Sequence, residues 1–308
     1  MMMLFRRCFA PIVLFSVLIM ICACSPDTPP PQIDGDLAFR LAEEHVKLGK
    51  RHSGSSGAEK AAEWIADQCK EVHPDAVVTL HEFEEKTVTG NVRFRNLIAE
   101  IPGRTKDFVV IAAHYDTKFF PEGYSFDGAN DGASGVAALL AMMKSLHGVT
   151  PPVGIRFVFF DGEECRYSYG KMDGLHGSRK LIADWRESGE LKRCRAMILL
   201  DMIGDKELCI TLSQDTRKTM ATLARNAAKT LQLTGYITDH RGDILDDHVP
   251  FQDAGIPAID LIDFSYGPEN SYWHTSEDSI DKISGRSMKI AADLAFRMIW
   301  DIAEGTPL

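Results

Sequence analysis

Four short apolar runs, each leading to an acid or a histidine, constrain this chain more than anything else in it. Residues 108–113 (FVVIAA) run into His114-Tyr115-Asp116, and 155–160 (IRFVFF) into Asp161-Gly162-Glu163-Glu164. Residues 197–200 (MILL) run into Asp201, and 258–262 (AIDLI) lead by a loop to His274. Runs this apolar and this rich in β-branched and aromatic residues read as buried strands of a parallel sheet. Helical patterning at 132–146, 175–187, 216–231 and 279–302 supplies the crossovers. The predicted fold is therefore α/β, a single domain with a mostly parallel mixed sheet flanked by helices. Upstream, 36–47 is helical, and Ser56-Gly57-Ala58-Glu59 is a capping box opening a helix to about residue 71. Residues 77–80 and 96–101 read as strands.

In open sheets of this kind, function collects outside the carboxyl ends of the strands. The four run ends would place their acids and histidines along one edge. Each residue has a plain alternative. His114 alone could be a surface histidine, but in His-x-Asp the carboxylate of Asp116 can hold the imidazole N–H and fix its tautomer beside a metal. Asp131, in Gly128-Ala129-Asn130-Asp131-Gly132-Ala133-Ser134-Gly135, either caps the next helix or offers a carboxylate that can bridge two metals. Glu163 and Glu164 are adjacent acids after a strand, so one can bind metal while the other carries protons. Asp201 follows four apolar residues, where an unpaired carboxylate is costly to bury. The order His…Asp…Glu-Glu…Asp…His suits zinc held by nitrogen and oxygen. No cysteines have Cys-x-x-Cys spacing, so thiolates do not hold this metal. A net charge of −10 argues against a nucleic-acid partner, which calls for a basic face.

The N-terminus reads as a lipoprotein signal peptide over 1–23. Arg6 and Arg7 precede an apolar stretch, 9–20, too short for a comfortable membrane span. Ile21-Cys22-Ala23-Cys24-Ser25 then resembles the lipobox of bacterial lipoproteins. On that resemblance Cys24 carries the lipid, the anchor holds the protein at the cell envelope, and Ser25 points to the outer membrane facing the periplasm. A plain secretory peptide and an uncleaved anchor helix are the alternatives. Residues 24–35 form a Pro-rich tether, and 36–306 form the catalytic domain. Cys69, Cys165, Cys194 and Cys209 remain, and an exported protein can keep disulfides. Four cysteines allow three full pairings, among which the sequence does not choose. A monomer is expected.

His114-x-Asp116, Gly-Ala-Asn-Asp131, Glu163-Glu164, Asp201 and His274-Thr275 together resemble the co-catalytic zinc aminopeptidase superfamily, whose fold is phosphorylase/hydrolase-like. Within it the chain looks most like the glutaminyl-peptide cyclotransferases. That likeness includes Arg51-His52-Ser53-Gly54-Ser55, His114-Tyr115-Asp116-Thr117-Lys118 and Leu199-Leu200-Asp201-Met202-Ile203-Gly204. The more specific segments are Asp246-Asp247-His248-Val249-Pro250-Phe251 and Trp273-His274-Thr275. The resemblance implies that Asp131, Glu164 and His274 hold zinc, with Glu163 as acid and base. Asp201 and Asp246 would form an acidic network beside Glu163. Trp273, Tyr169, Lys118 and His248 would meet substrate, a peptide or protein N-terminus. His114, Asp201 and Asp116 would complete a second metal site in a peptidase or support a single zinc in a cyclase. Three functions follow: cyclisation of N-terminal Gln to pyroglutamate, removal of N-terminal residues by a zinc aminopeptidase, or an idle binding lipoprotein on the same fold. The intact Glu163 and ligand set argue against the last.

Overall fold

All four apolar runs form strands in the structure, a computed structural model that describes residues 29–308. The signal peptide, Cys24 and the start of the tether lie outside the described residues. Helices α1 (Gly35–Val46) and α2 (Ser56–Val72) come first, followed by a hairpin of β1 (Val77–Thr87) and β2 (Gly90–Ile101). Strand β3 (Phe108–His114), α3 (Gly135–Ser145), β4 (Gly154–Phe160), α4 (His176–Ser188) and β5 (Cys194–Asp201) continue in alternation. Two three-residue strands, β6 (Ile210–Leu212) and β7 (Ile237–Asp239), flank α5 (Lys218–Thr230). Then come α6 (His248–Asp253), β8 (Ala258–Ile262) and α7 (Gly285–Ala303).

The eight strands form one mixed sheet in the order β1-β2-β4-β3-β5-β8-β6-β7. Its centre, β4-β3-β5-β8, is parallel throughout. Side chains alternate across the central strands, as the two-residue period requires. Val109, Ile111, Ala113, Ile198 and Leu200 pack with α1, α2, α3 and α7, while Val110, Ala112, Met197 and Leu199 face α4 and α6. Both faces are thus buried, so the runs contain no regular polar positions.

Several boundaries differ from expectation for local reasons. The hydroxyl that caps α2 is that of Ser55, which accepts from the Ala58 N–H, so the cap falls one residue before the proposed box. The first hairpin extends well beyond both proposed strands. Its outer strand is polar and half-exposed, and it is held by ladder pairing from Val77–Glu100 to Thr87–Gly90. Helix α3 begins at Gly135 because the preceding turn leaves helical geometry at Asp131 (φ −83, ψ 94) and Gly132 (φ 98). Helix α7 begins at Gly285, capped by Ser284, and the stretch before it makes only one short turn at Ile280–Lys282. Cys69, Cys165, Cys194 and Cys209 are all free thiols.

Candidate metal centre and cleft

Strand ends, one turn and one loop bring His114, Asp131, Glu163, Glu164, Asp201 and His274 to one edge. His114 closes β3 and Asp201 closes β5, its neighbour in the sheet. Parallel register sets His114 opposite Phe160. The chain leaving β4 turns at Gly162 (φ 78) and delivers Glu163 and Glu164 to the same edge. Asp131 comes from the irregular turn before α3, and His274 from the loop after β8. His274 itself sits in the left-handed region (φ 55), a strained conformation of the kind that collects at functional sites.

Two sets of ligand atoms share Asp131: Asp131, Glu164 and His274, and His114, Asp131 and Asp201. His274 Nε2 lies 3.0 Å from Glu164 Oε1 and 3.2 Å from Asp131 Oδ2. His114 Nε2 lies 3.1 Å from Asp131 Oδ1 and 3.2 Å from Asp201 Oδ1. Zinc bound tetrahedrally by nitrogen and oxygen sets its ligand atoms about 3.3 Å apart, close to these separations. Asp131 Oδ2 is buried and takes no well-aligned hydrogen bond, only the His274 ring nitrogen at 3.2 Å, so a cation between the two would satisfy both. The donor set fits zinc.

Asp116 acts differently from expectation. His114 Nδ1 sits 3.0 Å from the Asp116 backbone carbonyl and 3.6 Å from its carboxylate. The carbonyl takes the ring proton and leaves Nε2 toward the carboxylates. The Asp116 carboxylate instead accepts the backbone N–H groups of Glu163 and Glu164, each at 3.2 Å, and the Ser53 hydroxyl at 3.3 Å. It therefore fixes the Glu-Glu turn.

A cleft of about 180 Å³ opens over this edge, lined by Asp131, Glu163, Tyr169, Asp246, Leu245 and Trp273 among others. The Trp273 ring stacks on His274 at 4.1 Å, and Phe264 meets Trp273 edge-on at 5.1 Å. Phe264 also lines the cleft and is a wall residue the sequence motifs did not single out. The Tyr169 hydroxyl donates to Glu163 Oε1 at 2.8 Å. Two proposed substrate contacts lie outside the cleft lining. The Lys118 ammonium pairs with Glu164 Oε2 and Cys165 Sγ, both at 3.1 Å, so it supports a ligand carboxylate and does not line the cleft. His248 is turned inward by α6. It is fully buried, with neither ring nitrogen hydrogen-bonded, and lies 4.0 Å from Asp260.

Burial pushes the Glu163 carboxyl well above the ordinary range; Glu164, Asp247 and Asp116 add to this and His114 opposes it. Asp246 is likewise raised, by burial and then by Asp260 and Glu163. Burial raises Asp201 too, against the pull of His114. At Asp131 burial acts upward, but the imidazoles of His114 and His274 close beside it hold the carboxyl well below its usual value. His274 runs the other way. Burial lowers it, yet Glu164 and Asp131 lift it to about 10. Asp260, fully buried within β8, belongs to the same acidic patch and is raised by burial and Asp201. Its signal was present in the sequence, as a carboxylate inside AIDLI.

Residues 96–299 match the family model described as peptidase family M28. The chain is 28% identical to the glutaminyl-peptide cyclotransferase of Bos taurus, over 77% of this chain and 74% of that one. The crystal structure of an Acidobacteriales bacterium glutaminyl cyclase shares 35% identity and a TM-score of 0.86, over 91% of this chain and 98% of that one. A leucine aminopeptidase precursor from Bacteroides thetaiotaomicron superposes with a TM-score of 0.78 at 26% identity, over 88% and 98%.

Proposed function

The chain belongs to peptidase family M28, among its glutaminyl cyclases, and we propose that its cleft closes the N-terminal Gln of peptides to pyroglutamate with release of ammonia. The observation that carries this reading is Glu163. It is buried, held by Tyr169, raised in pKa, and faces the cleft beside the ligand set without belonging to it.

Asp131, Glu164 and His274 would hold one zinc, which when bound polarises a carbonyl oxygen. Trp273 and Phe264 wall the cleft and keep water from the reacting groups. Glu163 takes a proton from the substrate α-amino nitrogen, which attacks the side-chain amide carbon. The bond from that carbon to the amide nitrogen breaks as Glu163 returns the proton, and ammonia leaves. Asp201 and Asp246 flank Glu163 and keep its proton within the buried patch. Lys118 offsets the charge of Glu164.

One observation favours a second reading, a zinc aminopeptidase. The set His114, Asp131 and Asp201 could hold a second metal. A Gln-initiated and a Leu-initiated peptide, each followed by mass spectrometry with the purified protein, separate the two. Loss of one ammonia from the first and no change in the second is expected. Release of free Leu would reverse the assignment.

At the cell envelope, the spelling Ile21-Cys22-Ala23-Cys24 supports a lipid on Cys24. Labelling with a lipid analogue in cells should mark the protein and be lost in Cys24→Ser; an unlabelled parent chain would remove the proposal.

A further inference from the structure

The Arg51-His52-Ser53-Gly54-Ser55 segment and the stretch behind His274 take no part in the chemistry above, yet both converge on the backbone that carries Asp131. That turn is irregular. Gly128 (φ 58) and Gly132 (φ 98) are left-handed and Asp131 is non-helical, so the turn pairs only in part: the Ala133 N–H reaches the Gly128 carbonyl at 3.2 Å, while the Asn130 and Asp131 N–H groups look outside it. Other residues must pair with them.

Arg51 is fully buried and donates to the Asp127 carbonyl through Nη1 at 3.2 Å and to the Gly128 carbonyl through Nη2 at 3.1 Å. The other guanidinium bonds go to the Gly49 and Tyr115 carbonyls. A Cβ on Gly128 would lie 3.2 Å from Nη2, so the guanidinium packs directly on the turn. Asp278, also fully buried, accepts the Asn130 N–H at 2.7 Å through Oδ1 and the Asp131 N–H at 3.1 Å through Oδ2. The Tyr266 hydroxyl adds a third bond at 2.9 Å. A guanidinium thus grips the carbonyl side of the turn and a carboxylate the amide side. Buried charges are costly unless hydrogen-bonded, and these two direct their bonds mainly to backbone around a metal ligand. Asp278 also lies four residues after His274. One short segment therefore supplies one ligand and holds another.

We propose that Arg51 and Asp278 are positioning residues that set the zinc affinity of the site by fixing the Asp131 turn between them. This rests on the assignment of Asp131 and His274 as zinc ligands, but not on the choice between cyclisation and peptide hydrolysis. Residues that orient metal ligands change metal affinity by roughly 10–100-fold when altered.

The test is the zinc dissociation constant of the purified protein, measured by competition with a chromophoric chelator. Asp278→Asn keeps the volume but turns a donor toward one of the two N–H groups. It should weaken zinc binding roughly 10–100-fold, with kcat recovering at saturating zinc and KM for a Gln-initiated peptide unchanged. Arg51→Lys keeps the charge and loses the planar fork, so its zinc affinity should fall as well. Tyr266→Phe removes only the third donor and should weaken binding less than either. Asp293→Asn is the comparison, since that carboxylate binds the Ile33 N–H and Lys289 far from the turn. It should lower Tm and leave zinc affinity alone. If Asp278→Asn does not fold, Arg51→Lys and Tyr266→Phe carry the decision. Lowered Tm with wild-type zinc affinity in the folded variants would overturn the proposal. A wild-type protein that binds no zinc would instead overturn the ligand assignment beneath it.

Discussion

The floor of the cleft and its outer wall are built by different rules. The floor groups, His114, Asp131, Glu163, Glu164 and Asp201, are buried or nearly so and stand at or just beyond adjacent strand ends or on a turn gripped by its neighbours. The wall groups, Tyr169, Leu245, Phe264 and Trp273, come from loops and are partly or well exposed, with Leu245 at 49%. Register and the gripped turn fix the floor atoms to within a few tenths of an ångström of ligand spacing, whereas ring packing and the Tyr169–Glu163 hydrogen bond order the wall. The floor therefore sets the class of chemistry, and cyclases and peptidases of this family can share it. The wall sets what enters.

Breaking the floor should have the largest effects. Glu163→Gln is expected to lower kcat by about 10³-fold while zinc, measured by elemental analysis, stays bound. Near-normal turnover in that variant would remove its acid/base role. Asp246→Ala should cost about 10²-fold in kcat, because it removes a carboxyl from the patch that surrounds the proton of Glu163; a change confined to KM would move Asp246 to the wall. The floor should also be pH-sensitive toward metal. His274 must shed its proton to bind zinc, and in the metal-free protein that proton leaves at about 10. Below that value the charged ring dominates, so each pH unit of increase should tighten zinc binding about tenfold, levelling off near pH 10. Flat affinity across the neutral range would show that His274 is already neutral. The wall should respond more weakly and in a different constant. Trp273→Ala removes a stacked ring, a contact on the order of 1.5 kcal/mol, and should raise KM about tenfold with a smaller change in kcat.

The same contrast explains what could be seen in the sequence. Strand β3 and its neighbours are legible because both faces are buried, and the polar residues that end each run are conspicuous for that reason. His114, Asp131, Glu163, Glu164, Asp201 and His274 follow directly. Strands β6 and β7 span three residues each and carry no period to detect. Asp278 follows Thr275-Ser276-Glu277 and looks like ordinary surface. Its role depends on a contact with Asn130 across 148 residues, which no local pattern encodes. The placement of His248 was hidden for the opposite reason. It sits inside a specific motif, Asp-Asp-His, but the helix that begins there turns its ring away from the cleft and toward Asp260.

In a cyclase, floor and wall together direct a nitrogen of the substrate, and not water, at the carbonyl. Turnover of a Gln-initiated peptide in water labelled with heavy oxygen tests it most directly. Release of ammonia and a pyroglutamyl product that carries no heavy oxygen are expected. Incorporation of one heavy oxygen atom into Glu, or into a released N-terminal residue, would show that water is the nucleophile and contradict it.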